Sequence, residues 1–145
     1  MQKGNRPSFA IPPEKGEMGG NFSSYDRNSS YDPSTDTYSQ WGANRDCDGY
    51  IRMEKDRLVA FEMEGPGVIW RIWSANPQEG HIRIYTENEQ KEKMDMPFRK
   101  LFERYAYDES RVEWPANFPE LMPILSRGRN RFIPIPFNHY CKVTL

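Results

Sequence analysis

The sequence is poor in the residues that build metal centres and cross-links. Its 145 residues include two cysteines and two histidines. Cys47 and Cys141 lie so far apart that they match neither a zinc-ligand spacing nor a disulfide framework. We expect two free or buried thiols, and a single disulfide between them would require an oxidising compartment. No metal and no cofactor are predicted.

Charge of one sign and long apolar runs are lacking as well. The formal net charge is -1 at pH 7, which provides no basic field to attract nucleic acid or anionic lipid. No apolar run approaches the roughly 20 residues of a membrane-spanning helix, and residues 1–20 lack the apolar segment of a secretory signal. The sequence therefore predicts neither a nucleic-acid partner nor a membrane, and it leaves the compartment unknown.

Aliphatic residues are scarce, but aromatic residues are not. Leu, Ile, Val and Phe make up 26 of the 145 residues, a share low enough for disorder to be considered. Disorder also requires high net charge and few aromatic rings, whereas Trp, Tyr and Phe number 20 here. Because large rings can supply the buried area of a core, we expect a folded domain with long polar loops.

Polar and turn-forming residues fill the first third of the chain. Residues 1–20 are rich in Pro and Gly and predict an extended N-terminal arm. Residues 21–50 contain many Ser, Asp, Asn and Tyr and almost no aliphatic residue, which predicts a long polar loop. A loop of this length in a compact domain is usually functional or disordered, and its aromatic residues argue against plain disorder.

Short apolar stretches separated by Gly and Pro follow from residue 50 onward. Composition and alternation predict strands at 58–63, 68–73, 81–86, 94–96, 132–137 and 141–145. The prolines of 132–137 confine it to an edge or a bulge. Residues 98–105 have the spacing of one or two helical turns, and 106–126 predict a loop. The pattern is typical of an all-β jelly roll or β-sandwich over residues 21–145.

The last predicted strand alternates up to Leu145 without a closing turn or a polar tail. We expect from this that the chain is truncated at its C-terminus and is the incomplete N-terminal portion of a longer protein. We also expect that the final strand lacks a partner, and unpaired strand edges recruit other chains.

The polar loop carries aspartates among arginines and aromatic rings, namely Asp26, Asp32, Asp36, Asp46 and Asp48. Carbohydrate sites use these residue types, because rings stack on sugar faces and carboxylates accept hydrogen bonds from hydroxyls. A solvated loop with Asx turns is an alternative. A calcium site would need ligands beyond the Asp46–Gly49 stretch.

Three other features favour structural interpretations. Arg71 and Trp73 follow a turn and either pack on a strand or reach a pocket. His81 and His139 are isolated, which is typical of surface or packing residues. The arginines of 127–131 indicate a solvated loop, since an RNA site would need aromatic residues on a platform.

Several stretches, in order along the chain, resemble one family. The specific ones are Ser23-Ser-Tyr-Asp-Arg27 and Glu64-Gly-Pro-Gly-Val-Ile-Trp-Arg-Ile-Trp73, and the others are Asn44 to Tyr50, Ile82 to Tyr85, Met96 to Phe102, Phe132 to Phe137 and Cys141 to Val143. From about residue 20 to the end, the chain resembles the N-terminal part of the family once called domain of unknown function 2961. That family is now glycoside hydrolase family 172.

The resemblance implies a fold, a substrate and an assembly. A full-length member has two jelly-roll domains and forms trimer-based, capsid-like homo-oligomers. Members act on furanosides of the fructofuranosyl or arabinofuranosyl type by a retaining mechanism, which needs two carboxyl groups about 5 Å apart. The family's catalytic glutamates lie downstream of these motifs, so no residue of this chain is predicted to be catalytic, and its own status as an enzyme stays open. The alternative function is a non-catalytic carbohydrate-binding or capsid-like structural domain.

The resemblance also implies where sugar binds. It places residues 23–27 and the segment from Asn44 to Asp48 near the sugar site. Asp26 is the first candidate to accept hydrogen bonds from sugar hydroxyls, and Arg27 is expected to orient it or to reach the sugar. Asp48 and Trp41 are further candidates for substrate binding.

Overall fold

The computed structural model describes residues 14–43, 45, 49–77, 79–88, 90–103, 118–125 and 127–145. The strands are β1 (Ser30–Asp32), β2 (Thr37–Ser39), β3 (Arg52–Glu54), β4 (Arg57–Glu64), β5 (Gly67–Ile69), β6 (Ile72–Ser74), β7 (His81–Thr86), β8 (Met94–Pro97), β9 (Ile124–Leu125), β10 (Gly128–Arg131), β11 (Ile135–Phe137) and β12 (Tyr140–Thr144). Two 3-10 helices span Phe98–Phe102 and Pro119–Leu121, and the described ranges contain no α-helix. The all-β prediction is confirmed, while jelly-roll connectivity stays a prediction.

Predictions that concern the remaining residues lie outside the described ranges. These are most of the predicted arm, most of the predicted loop 106–126, and the positions of Asp46, Cys47 and Asp48. In the described part of the chain, no helix combines the length and the apolar character needed to cross a bilayer.

Five strands form the largest sheet in the order β3-β4-β12-β7-β8, and each neighbouring pair is antiparallel. The final strand β12 therefore lies at the centre, between β4 and β7. Leu145 continues the pairing, because its backbone exchanges hydrogen bonds of 2.9 and 2.8 Å with Leu58. The expectation that the last strand lacks a partner is wrong, since neighbours on both sides satisfy its backbone groups.

The core lies on one face of this sheet. Side chains alternate across a strand, so Ile82 and Ile84 of β7 and Cys141 and Val143 of β12 share the core face with the first 3-10 helix and β11. Cys141 is a free thiol, and burial raises its pKa to about 12. This agrees with the prediction of a buried thiol, and the predicted alternation of β7 is confirmed.

The other strands form smaller sheets, in which two predictions need correction. The predicted strand 68–73 is divided at Trp70 and Arg71, because β5 pairs with β11 and β6 pairs with β10. The arginine-rich stretch 127–131 is no solvated loop, because β10 pairs with β6 and β9, and Asn130 and Arg131 are buried.

The predicted loop 21–50 contains a regular hairpin. β1 and β2 pair antiparallel, with Tyr31 opposite Tyr38, and the hydroxyls of Ser30 and Ser39 form a hydrogen bond of 2.7 Å. The interpretation of the whole segment as loop is therefore wrong for these residues. Cross-strand pairs of rings and hydroxyls stabilise the hairpin in place of aliphatic side chains.

Candidate functional site

A buried carboxylate, that of Asp26, lies at the base of the β1–β2 hairpin. Its Oδ1 accepts hydrogen bonds from the backbone N and the Nδ2 of Asn28 at 3.0 and 2.8 Å, and its Oδ2 accepts one from the backbone N of Arg45 at 3.0 Å. Asn28 precedes β1 and Arg45 follows β2. One side chain therefore ties together the two ends of residues 28–45, which we call the hairpin segment.

Hydrogen bonding also sets the ionisation of this group. Backbone donation from Asn28, followed by that from Arg45, lowers the pKa of Asp26. Hydrogen bonds to a carboxylate favour its charged form, so Asp26 is ionised at neutral pH and its bonds to the backbone have their charge-assisted strength.

The motif at residues 23–27 contains Asp26 and leads into a turn at Arg27 and Asn28. The guanidinium of Arg27 lies over the ring of Tyr25, 4.5 Å from its centroid, and its Nη2 donates to the backbone oxygen of Ser23 at 3.1 Å. Gly49 packs so closely on this turn that a Cβ there would overlap the backbone oxygen of Tyr25. Glycine fits at position 49 because its side chain is a single hydrogen atom.

Three exposed rings stand on the hairpin segment, and we call Tyr31, Tyr38 and Trp41 the aromatic row. Ring centroids are 4.9 Å apart for Tyr31 and Tyr38 and 5.0 Å apart for Tyr38 and Trp41. The exposed fractions are 49%, 52% and 77% in that order. The Tyr31 hydroxyl donates to Asp36 Oδ1 at 2.9 Å, and this bond raises the pKa of Tyr31. The rings thus contact each other while keeping much of their surface open to solvent.

The predicted sugar-site residues that the structure describes fall into two groups. Asp26 and Arg27 lie in the segment 23–27, where Asp26 closes the hairpin segment and Arg27 lies over Tyr25. Trp41 lies in the aromatic row. Asp48 lies outside the described residues. Their role in substrate binding stays a prediction. Within the described ranges, no group of His, Cys, Asp and Glu is arranged to hold a metal ion.

The structure adds four residues to those predicted from sequence. Tyr31 and Tyr38 join Trp41 in the aromatic row, and Asn28 and Arg45 are the ends of the segment that Asp26 closes. A signal for the hairpin was present, because Ser-Tyr-Asp at 30–32 and Thr-Tyr-Ser at 37–39 mirror each other across a Pro- and Asp-containing turn. No local signal marks the Asp26–Arg45 contact.

A second polar cluster covers the face of the five-stranded sheet opposite the core. Arg52 bridges Glu54 and Glu62, and its Nη2 donates to Glu62 Oε1 at 3.0 Å. The Tyr140 hydroxyl donates to Glu62 Oε1 at 2.7 Å, and Lys142 Nζ donates to Glu54 Oε2 at 3.0 Å. This network joins β3, β4 and β12 through their side chains.

Both carboxylates of the network are held in their charged form. The hydrogen bond from Arg52 is the main cause that lowers the pKa of Glu62 to about 2, and the bond from Lys142 is the main cause that lowers the pKa of Glu54. A general acid needs a pKa near the operating pH. Neither glutamate therefore suits proton donation at neutral pH.

An open groove of about 530 Å³ lies near the start of β7, lined in part by His81, Arg99, Lys100 and Arg129. Its lining includes none of Asp26, Arg27 and Trp41. The Nδ1 of His81 and the Oδ1 of Asp95 form a hydrogen bond of 2.6 Å. This agrees with the surface role expected for this histidine.

Arg71 and Trp73 are engaged in packing. The Nε of Arg71 donates to Asn130 Oδ1 at 3.0 Å, and its guanidinium lies 5.7 Å from the centroid of the Phe132 ring. The indole of Trp73 lies against Gly128, where a Cβ would overlap it. Of the two interpretations for these side chains, the structure favours packing. Trp73 packs from β6 onto β10, and Arg71 lies between β5 and β6 beside Phe132.

Comparison with known proteins gives one match. The family model of the GH172 first β-sandwich domain matches residues 15–145. Searches of curated proteins and of solved structures return no match. The matched range begins before the turn at 23–27 and includes the hairpin segment and all five strands of the main sheet.

Proposed function

This chain belongs to the GH172 family as its first β-sandwich domain, and on that premise we propose that it forms the sugar-facing part of a retaining hydrolase of furanosides. The substrates are of the fructofuranosyl or arabinofuranosyl type, as the family resemblance implies. The observation that carries the sugar-facing role is the closure of the hairpin segment by Asp26, which ties the segment that bears an exposed row of rings to the turn at 23–27. Ring faces and nearby polar groups together match the apolar and hydroxyl-bearing sides of a sugar.

In this proposal the candidate residues have different tasks. Asp26 is proposed to accept a hydrogen bond from a sugar hydroxyl and, through its bonds from Asn28 and Arg45, to position the hairpin segment. Arg27 and Trp41 are exposed and contact the substrate. Asp48 follows Arg45 by three positions, and we include it among the substrate-binding residues on the basis of the resemblance.

The catalytic carboxylates are proposed to come from outside this chain. A retaining glycosidase needs a nucleophile and a general acid. Glu54 and Glu62 share Arg52, yet both have lowered pKa values and no proton to give at neutral pH. Neither glutamate can therefore be the general acid. Because the family resemblance places both catalytic glutamates downstream of these motifs, we expect the two bond-breaking groups further along the polypeptide, with this domain contributing binding and positioning.

The test begins with the nucleotides that follow codon 145. The extended polypeptide is expected to hydrolyse a nitrophenyl arabinofuranoside or fructofuranoside with retention of the anomer, as followed by NMR of the first product. The 145-residue chain is expected to give no turnover. Turnover by the 145-residue chain that is lost in Glu54→Gln or Glu62→Gln would contradict the assignment. A stop codon directly after residue 145 would favour the non-catalytic carbohydrate-binding alternative.

We also propose a trimer-based homo-oligomer, which rests on the family resemblance. Light scattering coupled to size exclusion measures the mass of the extended polypeptide directly. A mass of three chains, or a multiple of it, is expected. A monomer at micromolar concentration would contradict the assembly without bearing on hydrolysis.

A further inference from the structure

We propose that the aromatic row binds a neutral furanoside polymer across more than one sugar unit. The class of sugar rests on the proposed function above. The surface itself rests on the geometry and chemistry of the hairpin segment.

The geometry places three rings in contact one after another, each inclined to the next. Tyr31, Tyr38 and Trp41 follow one another with centroid distances of 4.9 and 5.0 Å and interplanar angles of 44° and 65°. Each ring keeps about half of its surface or more in solvent. Three rings in contact offer more apolar area than a single sugar ring covers, so the surface fits a chain of sugars better than a monosaccharide.

The rings are held in place before a ligand arrives. Tyr31 is fixed by its bond to Asp36, and the strands are joined by the Ser30–Ser39 hydroxyl pair. The turn between the strands is fixed by Asp32, whose Oδ1 accepts from the backbone N of Ser34 at 2.8 Å. A surface that is ordered before binding loses little conformational entropy when the ligand binds. This favours a polysaccharide, because each sugar unit contributes little binding free energy.

The composition of the hairpin identifies the class of ligand. Residues 30–41 contain no Val, Leu, Ile, Met or Arg, so the rings lack the other apolar and arginine side chains that accompany aromatic residues in protein interfaces. Hydroxyl groups flank the rings at Ser30, Thr35, Thr37 and Ser39. The stretch also carries Asp32 and Asp36 and no Lys or Arg, which disfavours phosphate, sulfate or uronate. Rings, hydroxyls and carboxylates without cations match a neutral carbohydrate.

The experiment measures binding of the 145-residue chain to soluble arabinan and levan by affinity electrophoresis or calorimetry, with a neutral glucan and polygalacturonate alongside. Trp41→Ala and Tyr38→Ala are expected to weaken binding by about two- to tenfold each, the range of aromatic contacts. Trp70→Ala is the matched control, because Trp70 is 68% exposed and lies between β5 and β6, away from the hairpin. It is expected to bind like the wild type.

The outcomes separate this inference from the proposed function. Absence of binding to every polymer, or an equal loss in Trp70→Ala, overturns the binding surface and leaves the hydrolysis assay to be judged on its own. Binding to the glucan alone, lost in Trp41→Ala, supports the surface and overturns the furanoside assignment. Binding to polygalacturonate alone overturns the neutral-ligand argument. Tyr31→Phe, which keeps the ring and loses the bond to Asp36, should reduce affinity less than Tyr38→Ala.

Discussion

The carboxylate of Asp26 accepts a hydrogen bond from the backbone N of Arg45 across 3.0 Å, between residues nineteen positions apart in the chain. With its bonds to Asn28, this contact closes a segment that has almost no aliphatic side chains of its own. The hydrogen bonds to Asp26 thus hold the base of the hairpin in place, whereas apolar packing holds the main sheet. We expect the position of the aromatic row to depend on these hydrogen bonds.

Replacement of Asp26 should loosen the hairpin segment without unfolding the main sheet. In Asp26→Ala we expect faster hydrogen exchange across residues 28–45 and weaker polysaccharide binding, with protection of β7 and β12 unchanged. The reason is that the lost acceptor bonds to both ends of the hairpin segment, at Asn28 and Arg45. Hydrogen exchange with peptide-level mass spectrometry, together with a thermal melt, provides the measurement.

Asp36→Asn is the control for this prediction. Asp36 has a left-handed backbone with φ of 51°, which asparagine tolerates, and its side chain contacts Tyr31 rather than the hairpin base. Exchange at Arg45 should stay at the wild-type rate. Equal acceleration in both variants would show that the segment responds to any loss of charge, and the closing role of Asp26 would then be wrong.

The strands that were predicted well have a strong local signal. β7 alternates with Ile82 and Ile84 on the core face, and its predicted bounds 81–86 are those observed. β4 and β8 are also recovered to within a residue at either end. In these stretches the local alternation agrees with the long-range pairing, so the sequence suffices.

The features that were missed depend on partners distant in sequence. The run 68–73 has uniform strand propensity, but its halves pair with β11 and β10. The arginines of β10 resemble a polar loop, although their strand lies between β6 and β9. The contact between Asp26 and Arg45 is of the same kind. Strand propensity reflects a residue and its neighbours in sequence. It therefore does not identify partners that are distant along the chain.

The charged network on the outer sheet face should make stability depend on acid pH. Because Arg52 lowers the pKa of Glu62 to about 2 from 4.5, ionised Glu62 contributes to the free energy of unfolding above about pH 4.5. That contribution is lost as the pH falls toward about 2. Arg52 is partly exposed, and solvent screens the pair, so we expect about 1–2 kcal/mol.

Denaturant unfolding of the wild type and Glu62→Gln at several pH values measures this contribution. The difference between the two proteins should be largest at neutral pH and should vanish near pH 2, where Glu62 itself becomes neutral. Glu64→Gln, at the exposed end of the same strand, is the matched control for removal of a carboxylate from β4. A difference that is constant from pH 7 to pH 2 would contradict the role of the Glu62 charge.

A hydroxyl in the centre of the main sheet offers a stabilising substitution. Thr144 is buried in β12, and its Oγ1 has no hydrogen-bond partner among the described residues. Thr144→Val keeps the shape and removes this hydroxyl, so the free energy of unfolding should rise by about 1 kcal/mol. Thermal melts provide the measurement. Val143→Thr is the control, since it places a hydroxyl on the core face and should lower Tm. A lower Tm in Thr144→Val would contradict the prediction, because it would show that the Thr144 hydroxyl has a hydrogen-bond partner.

The close approach of Gly49 to the turn at 23–27 leads to the last prediction. A Cβ at position 49 would overlap the backbone oxygen of Tyr25 and meet the backbone carbon of Ser24 at 2.8 Å. Backbone atoms cannot rotate away as a side chain can, so Gly49→Ala must displace the turn, and overpacking of this kind costs about 1–3 kcal/mol. Because the same turn carries Asp26, we expect a lower Tm, faster exchange in the hairpin segment and weaker polysaccharide binding. Gly42→Ala is a matched control, since a Cβ at Gly42 meets nothing within 4 Å although the residue adjoins Trp41. If Gly49→Ala and Gly42→Ala melt and bind alike, the turn yields freely and does not position the aromatic row.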